Sequence, residues 1–203
     1  MKKVILTCIY IFTTFINVNA QKNEIAKASE IVWYGLDFSN SKFVGKFDHG
    51  FGIAPVTGSD LKFNWIPKWN NLVVTEQQNY EIAKALKKPY VYYDIKAVNT
   101  INDKINPETL LDYNENNISD ATITEMIKKY KAGDKKEGLG LVFIVSSFNK
   151  TVQMAKIHVV FFDIATKKIV SNETYIGKAA GAGMLNYWAG AIKHVIKQMS
   201  KKF

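Results

Sequence analysis

The clearest hydrophobic pattern lies in the last third of the chain. Residues 139–148 hold the unbroken run Leu141, Val142, Phe143, Ile144 and Val145, the mark of a strand covered on both faces. Asn149, Lys150 and Thr151 predict a turn into a second strand over 154–164. A four-residue turn at 165–168 leads to a third over 169–176. Met184, Leu185, Trp188, Ala191, Ile192, Val195, Ile196 and Met199 share one helical face, so residues 184–199 read as an amphipathic helix.

Upstream, residues 30–38 and 90–98 are β-branched and aromatic enough for two more strands. Residues 70–87 predict a helix, with Thr75 to Gln78 as an internal capping box, ended by Lys88 and Pro89. Ile123, Met126, Ile127 and Tyr130 recur at i, i+3, i+4 and i+7, a second helix capped by Asp120 or Thr122 and stopped by Gly133. Residues 39–68, rich in glycine and aromatics, read as a long irregular excursion with a short helix near 40–47. Eight Asn and Asp residues make 99–117 a solvated connector. The order β, loop, α, β, α, β, β, β, α predicts one α/β domain over 21–203. Its mixed five-stranded sheet is built by two crossovers and then an antiparallel meander, with helices packed on it.

The first twenty residues change the picture of location. Met1, Lys2 and Lys3, an apolar stretch over 4–16 and the small residue Ala20 read as a secretory signal peptide cleaved after Ala20. The stretch is too short, and Gln21, Lys22, Asn23 and Glu24 follow too soon, for a transmembrane anchor. The four apolar-to-polar residues leading to Cys8 are too few for lipoprotein export. An exported protein is expected, in a periplasm or secreted.

Charge adds less than it first suggests. All 27 basic residues are lysine, against 18 acids, for a net +9. Cleavage removes two lysines and no acid, leaving +7. The chain has no arginine, and its one cysteine lies in the leader. These absences exclude a disulfide scaffold, a thiolate zinc site, a cysteine nucleophile and an arginine phosphate clamp, and they disfavour nucleic-acid readout. Lys128, Lys129, Lys131, Lys135 and Lys136 read as a solvated helix end, with attraction to an anionic partner as the competing view.

Few residues suggest chemistry. Gly177, Gly181 and Gly183 with Lys178 precede the last helix, where backbone N–H groups can meet an anion, but the spacing is not that of a P-loop. His49, His158 and His194 lack ligand spacing. Asp37, Asp94 and Asp163 close or interrupt strands, and Asp163 suits a hairpin turn. No catalytic residue, metal or cofactor is expected. The aromatic excursion is the candidate contact surface, with Trp65, Trp69, Phe51 and Phe63 as binding residues, and Lys178 of the glycine turn is a further binding candidate.

The hairpin 159–170, with Phe162, Asp163, Ile164, Ala165, Thr166, Lys167, Lys168, Ile169 and Val170, resembles that of the exported sandwich modules in the TolB N-terminal domain and the curli-secretion lipoproteins. The order of elements is similar too. Residues 177–190 with Asn186, Tyr187, Trp188 and Ala189, and Leu36 to Ser39, resemble uncharacterised exported proteins of Bacteroidetes-type bacteria. The resemblance implies an envelope protein acting through contacts with other proteins. The expected function is therefore non-enzymatic binding of another cell-envelope component, a protein or glycan. The alternatives are a small-molecule or glycan module using residues 39–69, and a hydrolase-type enzyme using carboxylates near the 177–183 turn.

Overall fold

A computed structural model of the chain describes residues 23–48 and 54–202. The expected signal segment, His49 and Phe51 lie outside these. Strand β5 (Leu139–Asn149), buried at every position, is the axis of the sheet. One of its edges pairs antiparallel with β6 (Met154–Asp163), which pairs antiparallel with β7 (Ile169–Lys178). Along the other edge lie two parallel strands end to end, β1 (Ile31–Asp37) against Leu139–Ile144 and β2 (Lys42–Val44) against Ser147–Asn149. Outermost, β3 (Tyr92–Tyr93) pairs with β1 and β4 (Leu111–Asp112) with β2, both parallel.

The fold is thus mixed α/β, but the described sheet has seven strands, not five. Two ranks are each broken in two. The expected helix near 40–47 is instead β2, extended because its backbone bonds to both β5 and β4. The expected strand 90–98 keeps only Tyr92–Tyr93. The chain then turns at Asp94, whose carboxylate accepts the Lys96 N–H, into helix α4 (Lys96–Asn102). The 99–117 connector accordingly contains the end of α4, a 3-10 turn at Pro107–Thr109 and β4.

The helical region before β3 also begins earlier than its pattern suggests. Thr57 and Asp60 form a reciprocal capping box at Gly58–Asp60, a π-helical stretch follows at Leu61–Trp65, and α1 (Ile66–Thr75) continues from it. Glu76 and the left-handed Glu81 (φ 46°) then separate two short helices, α2 (Gln77–Tyr80) and α3 (Ile82–Ala85). Ser119, rather than Asp120 or Thr122, caps α5 (Asp120–Lys128) by accepting the Thr122 N–H. The last helix, α6 (Gly183–Met199), matches its apolar stripe.

The helices form two layers. Side chains of α1, α2, α3 and α6 share the larger core with Trp33, Leu36, Phe38, Phe143 and Phe148, whereas α4 and α5 share the smaller one with Val32, Tyr34, Val142, Ile144 and Phe162. The route from β1 to β3 uses the first layer. The route from β3 to β5, on the other side of β1, uses the second. β1 is therefore the point where the winding of the sheet reverses.

A bulge decides what the end of β1 presents. Trp33 pairs with Leu141 but Gly35 with Val142, so β1 carries one extra residue there, and Gly35 has φ +112°. Because side chains alternate with period two, that residue reverses the faces of everything after it. Leu36 and Phe38 enter the larger core, and Asp37 turns to the side of Tyr34, α4 and α5. The reversal also aims both backbone groups of Leu36 away from β5, past the short β3. Two asparagines take them. Asn70 of α1 accepts the Leu36 N–H (2.8 Å) and donates to the Leu36 carbonyl (3.0 Å). Asn102 of α4 donates to the same carbonyl (3.0 Å) and accepts the Phe38 N–H (2.9 Å). Both are buried.

A Cβ on Gly35 would lie 2.6 Å from Asn70 Oδ1, at a φ that side chains rarely adopt. Gly35→Ala is expected to lower the unfolding free energy in urea by about 2–4 kcal/mol, through strain and the displaced asparagine. A loss below about 0.5 kcal/mol, the range of neutral surface changes, would contradict this.

Candidate functional site

The peptides that follow Asp37 form one lip of a cleft of about 690 Å³. It opens at the carboxyl end of β1, between α4 and the C-terminal end of α5. Open α/β sheets place their ligand sites at such ends, where the winding reverses. Ser39 and Asn40 line the lip, Lys96, Ala97, Thr100, Ile101 and Lys104 one wall, and Met126, Lys129, Lys131, Ala132 and Gly133 the other. A Cβ at Gly133 would displace the Asp94 carboxylate, which also accepts the Lys96 N–H.

Asp37 stands in the wall behind the lip, with no exposed surface. One carboxylate oxygen accepts the Ser39 N–H (2.7 Å) and the other the Tyr130 hydroxyl (2.5 Å). The Tyr130 ring stacks on Tyr34 and leans on Phe162, which fixes the hydroxyl from behind. Burial raises the pKa of Asp37 above its ordinary value, against the pull of these two hydrogen bonds and the positive charge of Lys129. Tyr130 is pushed well above the tyrosine range by burial and by the Asp37 charge. The pair is a positioning device. It ties the lip to the end of α5 while the carboxylate stays out of reach.

The residues singled out from the sequence are placed elsewhere. Trp69 is sealed in the larger core, its ring stacked near Phe38 and Phe43 and its indole N–H donated to the Leu185 carbonyl (3.1 Å). It is a packing residue, not a contact residue, because α1 turns it inward. Trp65 is half-buried against it, with Lys68 over its outer face. Phe63 is 70% exposed. Lys178 is exposed at the end of β7, where its backbone N–H bonds to His194 Nδ1 (2.8 Å).

The glycine turn does not meet Asp37 or Asp94. It joins β7 to α6 in the opposite layer, and Gly177 packs directly under Ala191 and Val195. A smaller cavity of about 230 Å³ beside Gly181 and Gly183 is lined by Phe47, Asp48, Lys150, Met184 and Tyr187. The hydrolase-type arrangement of those two aspartates with this turn is therefore not formed. Asp163 has its hairpin role, accepting the Thr166 N–H (2.7 Å). His158 is buried beside Thr174, and burial pushes its imidazole down. Among the described residues no cluster of three histidine or acidic side chains could hold a metal. None of their helices is long and apolar enough to cross a membrane.

The cleft was not legible as a site in the sequence. Lys129 and Lys131 were visible only as part of a charge run, and Lys96 and Lys104 carried no functional reading. Asp37 was visible as an acid, but the face it occupies depends on the bulge at Gly35.

Because its pKa is raised in the folded protein, Asp37 opposes folding once ionised, and the stability it supports at low pH is lost as pH rises through its folded value. Asp37→Asn keeps an acceptor for Ser39 and a donor for the Tyr130 oxygen. The variant should gain on the parent as pH rises from about 4 to about 8, read from urea midpoints. A difference independent of pH would show that Asp37 does not titrate in this manner.

Comparison with protein-family models, with curated proteins and with solved structures finds no match to this chain.

Proposed function

We propose that this is an exported, non-enzymatic binding protein that holds a small organic ligand of the cell envelope in the cleft beside β1. The observation that carries the reading is the cleft itself. Its volume falls within the roughly 300–1,000 Å³ of small-ligand sites. Its lining mixes apolar Ala97, Ile101, Ile105 and Met126 with polar Ser39, Asn40, Thr100 and Asn106. Binding without chemistry is supported by the state of Asp37, the one acid among the described lining residues, whose two oxygens are already engaged. Export rests on the signal-type sequence of residues 1–20.

A second reading, contact with an envelope protein, is favoured by one feature. Phe63 projects from the π-helical turn, with Lys62 over its ring, next to the partly exposed Trp65. Exposed aromatics of this kind serve protein contacts.

Thr100 is exposed on the cleft wall, so Thr100→Trp should fill the cleft without disturbing the core. A thermal-shift screen against fractionated envelope extract should find a fraction that raises the melting temperature of the parent by several degrees, about what saturation at 100 times Kd gives. Thr100→Trp should lose that response. A response that Thr100→Trp keeps, and that Phe63→Ala abolishes, would move the function to the aromatic turn.

A further inference from the structure

Resting on the cleft as the binding site, we infer that its ligand is a small organic anion carrying at least two negative charges, as carboxylate or phosphate. The lysines decide this. Of the run at the end of α5, Lys128 pairs with Glu125 (2.7 Å), Lys135 pairs with Glu30 (2.8 Å), and Lys136 donates to the carbonyls of Ala132 and Gly133. The side chains of Lys129 and Lys131 make no salt bridge or hydrogen bond among the described residues, Lys129 being felt only as a nearby charge by Asp37 and Glu125, and these two are the members of the run that line the cleft. A run that merely solvated a helix end would show no such sorting by position.

The facing wall repeats the pattern. Lys104 lines the cleft without a described carboxylate partner. Lys96 has only the exposed Asp134, at 3.7 Å. Lys96 also opens α4, the end of a helix where a cation is disfavoured. Four lysines thus line one cavity from two walls; Asp134 beside Lys96 is exposed, and Asp37, the one acid among the described lining residues, is turned into the wall and shared with Tyr130. Like charges held around a cavity repel one another, and a bound polyanion relieves that repulsion. Lysine offers point charges rather than a planar fork, so the site does not select between carboxylate and phosphate by bidentate geometry. The apolar patch of Ala97, Ile101 and Met126 suits a carbon skeleton between the charged groups, such as an acidic sugar or a sugar phosphate.

The test is calorimetric titration of the protein from residue 21 onward with digalacturonate and glucose 1,6-bisphosphate, each beside its neutral parent sugar. The acidic compounds should bind and the neutral ones should not, with affinity falling as salt rises. The double variant Lys129→Gln, Lys131→Gln should bind the acidic compounds at least about tenfold more weakly, as expected when charge-assisted bonds are lost. Lys128→Gln, Lys136→Gln should bind as the parent does, and urea midpoints show whether both variants are folded. Equal binding of neutral and acidic compounds, blocked by Thr100→Trp, would overturn the charge inference and leave the cleft reading intact. Anion binding lost in the Lys129, Lys131 variant but untouched by Thr100→Trp would overturn the location. No binding of either acid at millimolar concentration would overturn the inference itself.

Discussion

The end of β1 is held by asparagine side chains where a strand would ordinarily stand. Short β3 leaves Leu36 and Phe38 without a neighbour, and buried peptide groups without partners cost about 1–3 kcal/mol each. Asn70 and Asn102 satisfy them from opposite layers. One carbonyl, that of Leu36, therefore joins α1 to α4 through the middle of the sheet. The remaining features of this region depend on that arrangement. Gly35 must lack a side chain to let Asn70 approach, and the bulge at Gly35 sets the face of Asp37. Asp37 in turn fixes the lip and Tyr130.

The interruption of the edge rank has a further effect. Phe38 to Ser41 leave the sheet between β1 and β2, opposite the bulge at Val145 to Ser147 in β5, and the Ser41 hydroxyl bonds back to the Val145 carbonyl. The chain can therefore leave β1 toward the α4 and α5 layer, form the lip with Ser39 and Asn40, and return as β2. A continuous strand would have covered this gap and closed the cleft. The large aromatic cluster on the other face, where Phe148 stacks on Trp188 at 4.4 Å and Phe38 on Trp69 at 5.8 Å, packs behind the broken rank.

The sequence made legible what repeats over several residues. The buried run of β5, the meander with β6 and β7, and the stripes of α5 and α6 all follow from periodicity. Features that depend on a single residue meeting a distant one were not legible. Nothing local distinguishes Asn70 and Asn102 from surface asparagines, and β3 shrank to two residues because Asn102 does the work of its missing half. Trp65 and Trp69, four apart beside Pro67, looked like a contact pair until α1 was seen to bury Trp69. The lysine run was legible as charge but not as two populations: Lys128 meets Glu125 at i, i+3 within α5, but the acid that pairs with Lys135, Glu30, lies far away in sequence, just before β1. The export reading and the resemblance to envelope modules stay where the sequence put them, as part of the proposed function.

The substitution of side chains for a strand is tested most directly by native-state amide hydrogen exchange at Leu36 and Phe38. If Asn70 and Asn102 hold those peptides as described, both amides exchange only through opening as costly as that of the core amides of β5, and Asn102→Ala releases Phe38 ahead of Leu36. Exchange of Leu36 and Phe38 at the rate of exposed loop amides in the unaltered protein would contradict the clamp.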